Sequence, residues 1–189
     1  MIYNNSICGG EMRLDWRRIM IIGCGGAGKS SLAIELGKIL GIEVIHLDFL
    51  FWKPGWIETD KPAWVKINEH ISSKERWIID GNYCSTMDIR LMKADTVLFL
   101  DLPRRICLWQ VLKRRILFNN KKRPDISEGC PESLSWDFIK WIWDFPKDTR
   151  PQILEKLNAF QDKKDIIILR SNKNIRSFLK KMRDEMKRT

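Results

Sequence analysis

The stretch Arg18-Ile19-Met20-Ile21-Ile22-Gly23-Cys24-Gly25-Gly26-Ala27-Gly28-Lys29-Ser30-Ser31 decides how the chain is read. Arg18 to Ile22 is a short apolar run ending in glycines, the pattern of a buried strand. From Lys29 to Leu40 the period changes, with Leu32, Ala33, Leu36 and Leu40 on one helical face, and Gly41 stops the helix. Between strand and helix, Gly23 to Ser30 matches G-x-x-x-x-G-K-[ST] in full. Glycines there let main-chain N–H groups curl around phosphate oxygens, and the helix N-terminus adds positive potential. Gly23, Gly25, Gly26, Ala27 and Gly28, with Lys29, Ser30 and Ser31, are the expected nucleotide-binding set. Lys29 is expected on the β- and γ-phosphates and the Ser30 hydroxyl on Mg²⁺. This context of strand, glycine loop and helix predicts a nucleoside triphosphate such as ATP as ligand.

Further along, Val44 to Leu47, Trp77 to Ile79, Thr96 to Leu100 and Ile166 to Leu169 read as four more strands. Helices are predicted over Pro62 to Ile71, Ile106 to Phe118, Ser133 to Phe145, Pro151 to Phe160, and from about Asn172. Phe49 to Glu58 reads as a loop rich in aromatic residues. The strands are continuous Ile/Val/Leu runs that alternate with helices, which argues a parallel sheet covered on both faces. Residues 1–16 read as a disordered leader without a signal peptide, and 17–182 as one domain. A basic tail, 183–189, completes the chain. The 189 residues suffice for a core without staples, and no run is long and apolar enough to cross a membrane. Five scattered cysteines without CxxC spacing fit reduced thiols and a cytoplasmic setting.

In doubly wound sheets, ligands lie beyond the carboxyl ends of the strands. Three carboxylates fall there. Asp80, followed by Gly81, is the favoured partner of Mg²⁺; Asp101 is the alternative, or a cap for the next helix. Asp48 either accepts a proton from an attacking hydroxyl or opens a loop. His46 reads as a strand residue. The net charge is +10, and the span 103–124 holds eight basic residues and no acid. Such a stretch suits phosphates or nucleic acid. Among the nine tryptophans, Trp64, Trp77 and Trp109 are expected in the core. Trp141 and Trp143 cannot face the same way on one helix, so one is expected to line a groove. Trp52 and Trp56 bracket Lys53-Pro54-Gly55, either as core or as a platform for a base.

Taken together, these residues resemble the adenylate-kinase-like group of P-loop phosphotransferases, and within it the FlaR type named for DNA topology modulation. The narrower likeness rests on the glycine loop, on Val44-Ile45-His46-Leu47-Asp48 with Trp52-Lys53-Pro54-Gly55-Trp56, and on Trp77 to Tyr83. Downstream it rests on Ala94-Asp95-Thr96, Arg123-Pro124-Asp125, Glu128-Gly129-Cys130-Pro131 and Trp141-Ile142-Trp143. The resemblance implies a three-layer α/β/α P-loop NTPase fold with a five-stranded parallel sheet. It also implies an acceptor region between strands two and three, including Asp48, Trp52, Trp56, Asp80 and Gly81, and a helical lid over about 115–145. Arg114, Arg115 and Arg123 then fall where lid arginines close over transferring phosphates, and Arg170 and Ser171 near the loop that holds the base. Adenylate kinases follow their Asp-Gly with Phe-Pro-Arg, whereas Asn82-Tyr83-Cys84 stands here, leaving Arg90 either as a substitute grip on an acceptor or as a surface residue of the next helix. The function implied is γ-phosphoryl transfer from Mg·ATP to a small nucleoside-, nucleotide- or metabolite-type acceptor. The alternative is an ATP-dependent DNA-binding regulator; a nucleotide sensor without turnover is a third.

Overall fold

In the computed structural model the residues described are 16–117 and 135–188. Five parallel strands form the central sheet: β1 (Arg18–Gly23), β2 (Val44–His46), β5 (Trp77–Asp80), β6 (Thr96–Leu100) and β7 (Asp165–Leu169), in the order β2-β5-β1-β6-β7. A separate hairpin pairs β3 (Trp52–Lys53) with β4 (Ile57–Glu58). The helices are α1 (Lys29–Leu40), α2 (Leu47–Phe51), α3 (Lys61–Ser73), α4 (Met87–Lys93), α5 (Arg104–Leu117), α6 (Trp136–Asp144), α7 (Thr149–Asn158) and α8 (Asn172–Met186). They cover both faces of the sheet, which is the P-loop NTPase α/β arrangement.

The apolar runs explain the sheet. Ile19, Met20, Ile21 and Ile22 of β1 are wholly buried between β5 and β6, and so are Ile78, Ile79 and Val97 to Leu100. Only strands with helices on both faces can be apolar at successive positions. Trp64 and Trp77 belong to this core as expected, and Trp77 donates its indole N–H to Ser72 O at 3.3 Å. Burial of that one side chain contributes roughly 4–6 kcal/mol before entropy. Helix ends follow local rules: Asp60 and Ser135 accept the amides of Ala63 and Phe138 at the starts of α3 and α6.

Four expectations change. Phe49 to Glu58 is not a plain loop, because α2 runs straight out of β2 and the hairpin follows. The chain reverses at Pro54-Gly55-Trp56, where Gly55 and Trp56 both have positive φ, 81° and 61°. Trp109 is not core; the residue is 66% exposed because it sits on the side of α5 that faces a cavity. Residues 183–186 are no tail but the last turn of α8, held by Arg183 to Glu35 at 2.8 Å and by the buried Met182. Trp16 is no part of a leader: it is buried and stacks on Phe178, with ring centroids 5.7 Å apart. The rest of the expected leader, the 118–134 part of the lid with Arg123 and Cys130, and Thr189 lie outside the described residues.

Candidate active site

A cavity of about 1370 Å³ opens beyond the carboxyl ends of β1 and β5, where the order of strands reverses. One drug-sized ligand needs about 300–1,000 Å³, so the space suits two ligands side by side. The glycine loop forms its floor. Gly25, Gly26, Gly28, Lys29, Ser30 and Ser31 line it, and Lys29 Nζ folds back onto Cys24 O at 3.2 Å. Gly23 and Ala27 are not on the wall; Ala27 is buried in the core, and Gly23 anchors the root of the loop. Asn82 holds that root, its amide bonding the N–H and the C=O of Gly23 at 2.9 and 2.8 Å.

Gly26 has φ 78°, and a Cβ there would stand 2.4 Å from the main-chain oxygen of Cys107 on α5. No other residue fits that space and that backbone. Beneath the loop, Cys24 and Cys107 are buried free thiols. The hydrogen bond with Cys107, and burial after it, push the Cys24 thiol well above its ordinary pKa. Gly25 meets α6: a Cβ would come within 2.8 Å of the Phe138 ring and 2.9 Å of Trp141, two rings that stack 5.9 Å apart.

One end of the cavity is built from α2, the hairpin and the loop after β5. Asp80 is buried at the end of β5, with Oδ2 2.9 Å from His46 Nδ1 and Oδ1 without a hydrogen-bond partner. Asp48, in the first turn of α2, accepts the Tyr83 hydroxyl at 2.7 Å. Tyr83 has φ 41° and packs against Phe51 and Trp64, with centroids 4.7 and 5.0 Å away. Burial, with Asp48 alongside, pushes its phenol above the ordinary range. Trp52 and Trp56 line the same end edge to face at 5.3 Å.

Arg90 is not a grip on an acceptor. It is wholly buried, off the cavity wall, and its guanidinium donates to the carbonyls of Gly81 (2.9 Å), Asn82 and Tyr83 (3.0 Å). Desolvation pushes its pKa down to about 9, still high enough to keep it a cation at neutral pH. That one cation shapes the loop that presents Asp80, Asn82 and Tyr83.

The opposite wall is α5 and α6. Arg105, Lys113 and Arg114 line the cavity there, as do Trp109, Gln110, Phe138 and Trp141. Of the expected lid arginines, Arg114 is on the wall, whereas Arg115 is half-buried elsewhere on α5. Trp141 is thus the groove tryptophan, and Trp143 turns away under Arg104, whose guanidinium carbon stands 3.8 Å from the ring. Arg170 is not on the wall either; it is 3.8 Å from Asp101, which Arg150 holds in a bidentate pair at 2.7 and 2.9 Å. Asp101 is therefore bound up in ion pairs, and Ser171 caps α8 through the Asn174 amide. Gln110 and Asn172 line the cavity near where the resemblance placed those two residues.

Comparison with known proteins bears on the fold. No family model matches the chain. A shikimate kinase from Acinetobacter baumannii superposes with a TM-score of 0.61 at 15% identity, over 89% of this chain and 91% of that one. The chain has the fold of the P-loop kinases. A gluconokinase from Sinorhizobium meliloti 1021 gives a TM-score of 0.52 at 15% identity, over 91% and 92% of the two chains. A deoxyadenosine kinase from M. mycoides gives 0.50 at 14%, over 89% and 97%. In sequence the chain is 27% identical to the uncharacterized protein YqaC of Bacillus subtilis (strain 168) over 127 residues, 66% of this chain and 70% of that protein. No helix among the described residues is long and apolar enough to cross a membrane.

From sequence, no role in the site was assigned to His46, Asn82, Tyr83 or Gln110. For the first three a signal existed: each is polar or ionisable and sits at or just past the carboxyl end of a strand, where ligands gather. Gln110 carried none, being one polar residue among many on a basic helix.

Proposed function

We propose that the protein is an ATP-dependent phosphotransferase that moves the γ-phosphoryl group of Mg·ATP to a hydroxyl of a small acceptor. One observation carries this reading: a single cavity combines the glycine loop and Lys29 with two strand-end carboxylates and a facing row of cations on α5. Lys29, Arg105, Lys113 and Arg114 would neutralise the charge that spreads over the phosphoryl oxygens, and positioning supplies most of the remainder. The acceptor hydroxyl would attack the γ-phosphorus as its proton passes to Asp48. The bond from phosphorus to the bridging oxygen breaks, and ADP leaves.

Mg²⁺ fits the residues present. Asp80 Oδ1 is a buried carboxylate oxygen without a hydrogen-bond partner, and Asp80 and Ser30 line the same cavity. Ser30 and Asp80, the latter directly or through water, would hold the ion, which would supply charge neutralisation at the β- and γ-oxygens. Among the described residues no group of three His, Cys, Asp or Glu side chains gathers, so phosphate oxygens and water would complete the shell.

The names of the solved kinases it resembles, which act on small molecules, support this reading. The FlaR-type resemblance carries the other one, an ATP-dependent DNA-binding regulator. Against that reading, the basic stretch spends Arg105, Lys113 and Arg114 on the cavity wall. ADP release from Mg·ATP, measured over a panel of hydroxylated acceptors and with supercoiled DNA, separates the two. Stimulation by one small acceptor that vanishes in Lys29→Ala supports the kinase; stimulation by DNA alone overturns it.

A further inference from the structure

Resting on that reading, we infer that the acceptor is an uncharged, hydroxyl-bearing molecule with a flat ring, of nucleoside type, and not a phosphorylated or carboxylated one. The acceptor end of the cavity is lined by Asp48 and Asp80 together with Trp52, Trp56 and Tyr83. Among the described residues that α2, the hairpin and the loop after β5 give to the wall, none is a cation. The cations of the cavity come instead from the glycine loop and from α5, which packs on that loop through Gly26 and Gly28. Arg90, the grip on an acceptor that the resemblance offered, faces inward and is engaged with three main-chain carbonyls. A second phosphate or a carboxylate would sit beside Asp48 with no cation from these three elements to offset it among the described residues, and like charges at contact distance repel.

The rings point to the rest of the ligand. Trp56 and Tyr83 are the two non-glycine residues with positive φ among those described, and both line this end. A bulky aromatic held in the left-handed region is strained, and such strain persists where a ligand clamp needs the side chain aimed. Trp56 Nε1 is buried without a hydrogen-bond partner. A ring nitrogen or carbonyl of a base would satisfy that N–H, and the base's flat face suits the indoles. Hydroxyls of the sugar would then meet Asp48.

The test is calorimetric titration of the full chain, held with Mg²⁺ and a non-hydrolysable ATP analogue. The titrants are nucleosides, their 5′-monophosphates, shikimate and gluconate as carboxylated polyols, and an amino-alcohol. At least one nucleoside should bind about tenfold or more tighter than its monophosphate. Trp56→Ala should weaken that nucleoside about tenfold and leave the ATP analogue unchanged. Trp56→Phe, which keeps a ring and loses the donor, should fall between. The inference is overturned by tighter binding of a monophosphate, a carboxylate or the amine, by no nucleoside binding, or by a nucleoside indifferent to both Trp56 variants. Transfer from labelled Mg·ATP, run in parallel, keeps the two readings apart. Selective nucleoside binding without transfer sinks the kinase and spares this inference, and transfer to a monophosphate does the reverse.

Discussion

The side-chain amide of Asn82 holds the main chain of Gly23 by both its groups, across the gap between β5 and β1. A polar side chain thereby fixes the root of a loop in which four of the six residues from 23 to 28 are glycine. Asn82→Ala would leave a partly buried N–H and C=O unpaired, at a cost of about 1–3 kcal/mol. The melting temperature should fall by roughly 3–8 °C, and affinity for ATP with it. Asn82→Asp keeps an acceptor for the N–H, loses the donor and adds a negative charge near the phosphates. Titration with an ATP analogue should therefore rank Asn82→Asp below Asn82→Ala.

Gly26→Ala should separate folding from nucleotide binding. A left-handed alanine costs about 1–2 kcal/mol, a modest loss for the fold. The contact with Cys107 O cannot be relieved by a rotamer, so the loop itself must shift and its amides lose their aim. The expected result is a well-folded protein, by melting, that no longer binds the ATP analogue.

Lys29→Ala and Asp48→Asn should fail in different ways. The first removes charge from the transferring phosphoryl group and should lower kcat on the order of a hundredfold or more. The second should leave ATP affinity close to that of the parent while kcat falls about a hundredfold. Steady-state kinetics at saturating ATP reads both, and an unchanged kcat for Asp48→Asn removes it as the proton acceptor.

Arg90→Met should be among the costliest single changes in the molecule. It strips hydrogen bonds from three successive carbonyls, those of Gly81, Asn82 and Tyr83. About 3 kcal/mol or more of stability should be lost, seen as a lower urea midpoint. Arg90→Lys should rescue little, because one ammonium cannot reproduce the planar fork.

Alkaline pH should weaken the fold through Tyr83. An unfolded tyrosine ionises near pH 10, roughly. In the fold, burial and the neighbouring Asp48 hold the Tyr83 pKa higher. The stabilisation is thus complete below about pH 10 and is lost as pH rises beyond it. Melting curves across that range should show a decline that Tyr83→Phe reduces. Tyrosinate absorbance of the folded protein just above pH 10 should account for no more than one of the two tyrosines.

The fold was legible because its signals are local. The apolar run Arg18 to Ile22, the glycines after it and the four-residue spacing of Leu32, Leu36 and Leu40 each follow from one stretch of chain. The floor of the site was legible for the same reason, as Lys29 and Ser30 are placed by the turn that precedes them. What stayed hidden depends on distant partners. Arg90 reads as a helix-surface cation until the carbonyls of 81–83 are seen above it. His46 needs Asp80, and Asp101 needs Arg150, residues 34 and 49 positions away. Trp109 shows the opposite failure: a large ring on an amphipathic helix suggests core, yet its side of α5 faces open space.

The contact between Gly26 and Cys107 runs from main chain to main chain, and that gives the two positions unequal freedom over evolutionary time. Any residue at 107 places the same oxygen under the loop, so drift among small buried side chains there gives up the bond to the Cys24 thiol but keeps the main-chain contact. Position 26 has no such latitude. A lineage can therefore rebuild α5, with the cations that face the reacting groups, without retuning the cradle beneath them.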